Sequence, residues 1–169
     1  MKQGRSRRML AALAASAALI SVSQAASRQQ TSTDLSGPWR FQSGTFDGDC
    51  KMSGGVSLRP SGKAGQYACD LIVETHCRNP DDGLYEYWRV KQTCTATQTG
   101  ASVRITGKIG RVEDARWFDE PIDAENRTTY VPDNFELTLD RGGDEMNGQM
   151  VDRVRRVSAR MWRESELVS

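Results

Sequence analysis

Few side chains in this 169-residue chain are equipped for chemistry, and their spacing argues against most reactions. The chain has one histidine, His76, and four cysteines, Cys50, Cys69, Cys77 and Cys94. The cysteine intervals of 19, 8 and 17 residues contain no close pair of the kind that holds zinc. There is no Gly-x-Ser-x-Gly nucleophile turn, no His-Glu-x-x-His and no phosphate-cradling glycine loop. Alternation puts His76 on the same strand face as Asp70, Ile72 and Glu74, opposite the apolar residues, as expected of a surface histidine. The expectation is therefore a non-enzyme with no catalytic residue, metal or other cofactor. A carboxylate pair, which needs no local motif, is the one catalytic route the sequence leaves open.

Carboxylates do cluster, but between the apolar segments: Asp47 and Asp49, Asp81 and Asp82, then Glu113, Asp114, Asp119, Glu120, Asp123 and Glu125, and finally Asp152. In a meander these connectors share one end. They form either solvated loops or an acidic rim that attracts a cationic ligand, a metal ion or a basic surface. The connector from Glu113 to Val131 is longer than the ~12–15 residues usual for a structureless loop, and it carries Trp117 and Phe118. Such a segment is expected to act as a lid, as a partner-binding tip, or simply as cover for one end of the fold.

The N-terminus is organised differently. Met9 to Ile20 is apolar and Ala-rich, too short to cross a bilayer, and follows Lys2, Arg5, Arg7 and Arg8. Ser23-Gln24-Ala25 supplies the small residues of a cleavage site, so residues 1–25 read as a signal peptide, 26–33 as a flexible arm and 34–169 as one domain. Ser6-Arg7-Arg8-Met9-Leu10 also resembles a twin-arginine export motif, and the route of export stays open. Four of the 23 basic residues lie in the leader; the remainder, set against 22 acidic residues, has a net charge of −3. A nucleic-acid partner is not expected, nor stable membrane insertion once the signal is removed. The expected location is the periplasm or the medium, where the four cysteines form two disulfides.

From Trp39 to Trp162 the apolar residues alternate with period two, broken by Gly, Pro, Asn and Asp. Strands are predicted at Pro38–Ser43, Cys50–Arg59, Gln66–Cys77, Leu84–Thr97, Ser102–Val112, Asn134–Asp140, Glu145–Val151 and Arg155–Arg163. Antiparallel register predicts the pairs Val56 with Leu71, Leu58 with Cys69, Val73 with Val90 and Thr75 with Trp88. It also sets Ile105 against Cys94, Ile109 against Val90, Leu139 against Met146, Phe135 against Met150 and Met146 against Met161. Cys50 then faces Cys77 and Cys69 faces Cys94; the other two pairings break this register. One continuous apolar face over about eight strands is buried by curling into an antiparallel up-and-down barrel, with a β-sandwich as the alternative. Gly54, Gly107 and Gly148 fall on the inner face.

Asp34-Leu35-Ser36-Gly37-Pro38-Trp39, just before the first strand, resembles the Gly-x-Trp opening of the lipocalin and avidin-like calycin barrels. The resemblance implies that Trp39 plugs the closed end with a basic residue of the last strand lying across it, and Arg163 stands in the matching place. It is a likeness of architecture; the middle-strand Thr-Asp-Tyr pattern of many lipocalins is absent. It implies a non-enzymatic binding protein for a small apolar or amphipathic ligand. Trp88, Met52, Met150 and Phe135 would line the site, with Trp117 and Phe118 closing over it. Small periplasmic inhibitors of secreted metalloproteases share such a barrel and imply a protein-binding module as the alternative; a structural, envelope-associated domain with a filled barrel is a third reading.

Overall fold

Strict alternation of buried and exposed side chains builds the sheet. In Gln66–Arg78 the buried positions are Tyr67, Cys69, Leu71, Val73 and Thr75, with more exposed residues between them. The computed structural model describes residues 33–78, 85–118, 120–153 and 155–164. The leader 1–25, the arm from 26 to 32, the turn 79–83 and Asp119 lie outside the described residues.

The strands are β1 (Gly37–Ser43), β2 (Lys51–Pro60), β3 (Gln66–Arg78), β4 (Tyr85–Thr99), β5 (Ser102–Trp117), β6 (Glu120–Pro121), β7 (Asn134–Leu139), β8 (Glu145–Val151) and β9 (Arg156–Arg163); one short helix, α1 (Ala124–Arg127), follows β6. All pairings are antiparallel, and β1 pairs with β9 to close an eight-stranded barrel; β6 is an extra two-residue strand on the end of β5. The disulfides are Cys50–Cys77 and Cys69–Cys94. Two such bridges fit an oxidising, non-cytoplasmic compartment. Among the described residues no helix is long and apolar enough to cross a membrane.

The expected pairs hold in β2–β3, β3–β4, β7–β8 and β8–β9. The β4–β5 hairpin differs. Cys94 faces Gly107 and Ala96 faces Ile105, two residues away from the expected match, because the turn is the tight pair Gly100-Ala101 between Thr99 and Ser102. Two irregularities in this ladder then place Val112 opposite Val90 and Ala115 opposite Trp88. As a result β5 runs on to Trp117, and the expected loop from Glu113 begins five residues later. Glu113 and Asp114 belong to this strand and not to an acidic rim. Glu113 pairs with Lys91, Arg111 and Arg89, with Lys91 and Arg111 chiefly holding its carboxyl at about 2.

The interior is packed with side chains. Trp39, Phe41, Phe135, Met146, Met150 and Met161 are each at most 1% exposed, and the Phe41 and Phe135 rings meet edge to face at 5.1 Å. Close backbone approach needs the inner glycines: a Cβ on Gly54 would fall 1.9 Å from the Ile72 carbonyl oxygen and 2.8 Å from the Phe41 ring. At the end holding both chain ends of the barrel, Trp39 Nε1 donates to the Leu35 carbonyl at 2.8 Å and Arg163 lies over the indole.

Candidate mouth site

The opposite end is formed by the β1–β2, β5–β7 and β8–β9 connectors and by the adjoining ends of β3 and β4, and here a cleft of ≈ 380 Å³ opens. Its walls are Phe46, Met52, Trp88, Trp117, Tyr130 and the Cys50–Cys77 bridge; its polar lining includes Thr75, Asp133, Asp47, Asp152 and Arg155.

The β5–β7 connector shapes this end. β6 pairs back onto the tip of β5, the Ile122 amide donates to the Ala115 carbonyl at 2.8 Å, and Asp123 caps α1 by accepting from the Asn126 amide at 3.1 Å. Arg127 Nε donates to the Ile122 carbonyl at 2.8 Å and fixes the helix against the strand. The chain then turns inward, so that Tyr130 packs on Trp88 with ring centroids 5.5 Å apart. Trp88, Val90 and Ala115, backed by Ile109, Val112, Ile122 and Tyr130, make a small second core under this connector.

Beneath Tyr130 sits a buried polar group of residues. The Tyr130 hydroxyl donates to Asp133 Oδ2 at 2.9 Å and Gln92 Nε2 donates to the same oxygen; the Asp133 amide donates back to Gln92 Oε1 at 3.1 Å. Asp133 is 3% exposed. Burial pushes its carboxyl up to about 6 against the Gln92 and Tyr130 hydrogen bonds; Asp152 adds to the rise and Arg155 opposes it. The Tyr130 phenol is raised well above its ordinary value, by burial first and the Asp133 charge second. Gly107 leaves room for the network: a Cβ there would meet the Asp133 carbonyl oxygen at 2.4 Å and Gln92 Oε1 at 2.6 Å. Thr75, 4% exposed, lines the cleft beside it. Its Oγ1 interacts with the Tyr130 phenol but, among the described residues, completes no hydrogen bond. At the rim Arg155 donates to Asp152 Oδ2 at 2.8 Å and to Asp47 Oδ2 at 2.5 Å, and its guanidinium lies 5.1 Å from the centre of the Phe46 ring.

Of the expected ligand residues, the structure brings Met52, Trp88 and Trp117 to the cleft. Phe135 and Met150 do not line it; they fill the barrel one layer further in. Trp117 and Phe118, both half-exposed, are not a joint lid. Trp117 turns to the cleft while Phe118, at φ 52°, turns to the outer face near His76, Tyr85 and Tyr87. Tyr130 takes the covering place instead. His76 is exposed on that outer face, with Nδ1 hydrogen-bonded to the Tyr85 hydroxyl.

Sequence reasoning missed Thr75, Gln92, Tyr130, Asp133 and Arg155 as site residues. The signal for Asp133 was present: it shares the parity of Phe135, Leu137 and Leu139 and so points inward. Comparison of the chain with protein-family models, with curated proteins and with solved structures finds no match.

Proposed function

We infer that the chain is an exported, periplasmic or secreted binding protein with a calycin-like barrel and no enzymatic activity, holding a small amphipathic ligand in the mouth cleft. The observation that carries this reading is the lining, in which aromatic walls of Trp88, Tyr130 and Trp117 stand over a buried polar floor. Sites for small molecules combine those two features. The filled interior confines the ligand to the mouth, so it is smaller than one that would thread the barrel. The Gly-x-Trp opening and the Arg163 contact support the calycin comparison.

Tryptophan fluorescence titration of the oxidised protein with a panel of amphiphiles tests the reading, together with native mass spectrometry of protein taken from its own compartment. Saturable binding that Trp117→Ala weakens about tenfold is expected, a change of about 1.4 kcal/mol. Binding by no amphiphile, or equal binding by Trp117→Ala, defeats the reading.

Phe118 favours a second reading, a protein-binding module. A bulky residue at positive φ, half-exposed beside the exposed Tyr85, is a strained and costly surface feature. Loss of a co-purifying protein in Phe118→Ala, with amphiphile binding absent, is the outcome that selects it.

A further inference from the structure

We propose that the polar end of the mouth ligand is an ammonium group, a small organic monocation whose N–H groups are taken by the Asp133 carboxylate and Thr75 Oγ1 while its apolar body lies against Trp88, Tyr130 and Trp117. This rests on the reading of the cleft as a ligand site and adds the chemistry of the ligand.

The argument begins with the carboxylates of the cleft. Asp47 and Asp152 are held by Arg155, and Glu86 accepts from Trp88 Nε1. Asp133 is the most deeply buried of them, yet the donors it holds, Gln92 and Tyr130, are both neutral. Both reach Oδ2, which leaves Oδ1 with no donor among the described residues. A buried carboxylate without a cationic partner is unfavourable, and an arriving cation offsets that cost.

Thr75 Oγ1 is an independent observation. It is a buried oxygen at the cleft that completes no hydrogen bond among the described residues, and such atoms in folded proteins normally have a partner. A buried carboxylate held by neutral donors and flanked by a hydroxyl and aromatic faces suits an alkylammonium, which has up to three N–H donors and favours π faces. It does not suit a bare divalent ion, which takes several oxygen ligands. A carboxylate or phosphate ligand would be repelled by Asp133.

The field around Asp133 sets the pH behaviour. The groups facing it are Gln92 from β4, Tyr130 from its own connector, and Asp152 and Arg155 from the β8–β9 connector. Arg155 and Tyr130 are both shifted upward, which keeps the first charged and the second neutral, while the Asp133 carboxyl at about 6 changes charge near neutrality. Ammonium binding therefore strengthens as pH rises from about 5 to about 7.5.

The test is calorimetric titration of the oxidised full-length protein with three probes of one shape: 2-phenylethylammonium, 2-phenylethanol and phenylacetate. The expected result near pH 7.5 is ammonium binding at least about tenfold tighter than the alcohol, with no phenylacetate binding. Asp133→Asn should abolish the preference. Thr75→Val removes an oxygen that completes no hydrogen bond among the described residues, so it should fold normally and weaken the ammonium about fivefold. An alcohol bound as tightly as the ammonium, a preference retained by Asp133→Asn, an unchanged affinity in Thr75→Val, or binding that does not weaken toward pH 5 overturns the ammonium assignment while leaving the cleft a ligand site. Binding of none of these probes or of any amphiphile defeats the site itself. If Asp133→Asn fails to fold, Thr75→Val and the pH profile decide alone.

Discussion

Arg163 lies over the Trp39 indole with its guanidinium carbon 4.6 Å from the ring centroid, joining the last strand to the first across the closing seam. The same guanidinium donates to the carbonyl oxygens of Ser36, at 2.9 Å, and Asp34. One side chain thus covers the end of the barrel and ties down the segment that enters it.

Arg163→Ala should therefore destabilise the protein by about 2–3 kcal/mol, combining a lost cation–aromatic contact with hydrogen bonds from a charged donor. Arg163→Lys keeps the charge without the planar fork and should recover less than half of this. Urea unfolding midpoints measure both; a loss under about 0.5 kcal/mol in Arg163→Ala would show the contact to be incidental.

Gly54 and Gly62 make a matched pair of opposite kind. Gly54→Ala forces a methyl against the Ile72 carbonyl, and Gly62→Ala meets nothing within 4 Å but must hold φ +83°. The first should cost more than about 3 kcal/mol or prevent folding, and the second about 1–2 kcal/mol. Denaturant titration of the two variants side by side checks the order.

The two disulfides should separate stability from binding. The chain-entropy model assigns about 3.5 kcal/mol to each, given separations of 27 and 25 residues. Replacing Cys69 and Cys94 by alanine should lower stability and leave amphiphile binding in place. Replacing Cys50 and Cys77, whose bridge lines the cleft, should lower both. Thermal melts and the fluorescence titration together read the difference.

Asp133 gives stability an unusual pH dependence. Its folded value of about 6 lies above the ordinary 3.8, so between these values the folded protein holds a proton that the unfolded chain releases. The contribution is full below about pH 3.8 and is lost as pH rises through about 6, amounting to roughly 1.5 kcal/mol between pH 5 and 7.5. Glu113, Asp34, Asp114, Asp140 and Glu145 are shifted downward, so what they contribute is lost only in more acid solution. Wild type should become less stable relative to Asp133→Asn across that interval; parallel curves for the two proteins would refute the assignment.

Alternation and turn residues were enough to read the barrel, because each strand buries one face and a one-residue slip would expose it. The same logic found the disulfides, since Cys50 and Cys77, and Cys69 and Cys94, share that face. It faltered at β4–β5, where the tight turn moves the pairing by two residues and extra residues further along the ladder then change the parity. Beyond them Glu113 and Asp114 looked like a loop, although their charges are paired along the strand. The cleft was legible only in part. Met52 and Trp88 are apolar residues at strand ends, which a pattern search weighs, whereas Gln92 and Asp133 are polar residues at inward positions and meet across 41 residues of chain.

The seam between β1 and β9 has a consequence in time. Trp39 and Arg163 are register partners, so the barrel cannot close until nearly the whole described chain has been gathered, whereas β2, β3 and β4 are near neighbours in sequence and are covalently bridged. Distant pairings carry the larger loop-closure cost and form late. Refolding of the oxidised chain should therefore proceed from a stapled three-stranded seed to a slow final zippering of first strand to last. Until that step the edges of β1 and β9 stand open to strands of other molecules, and it is in this interval that the protein is most exposed to aggregation.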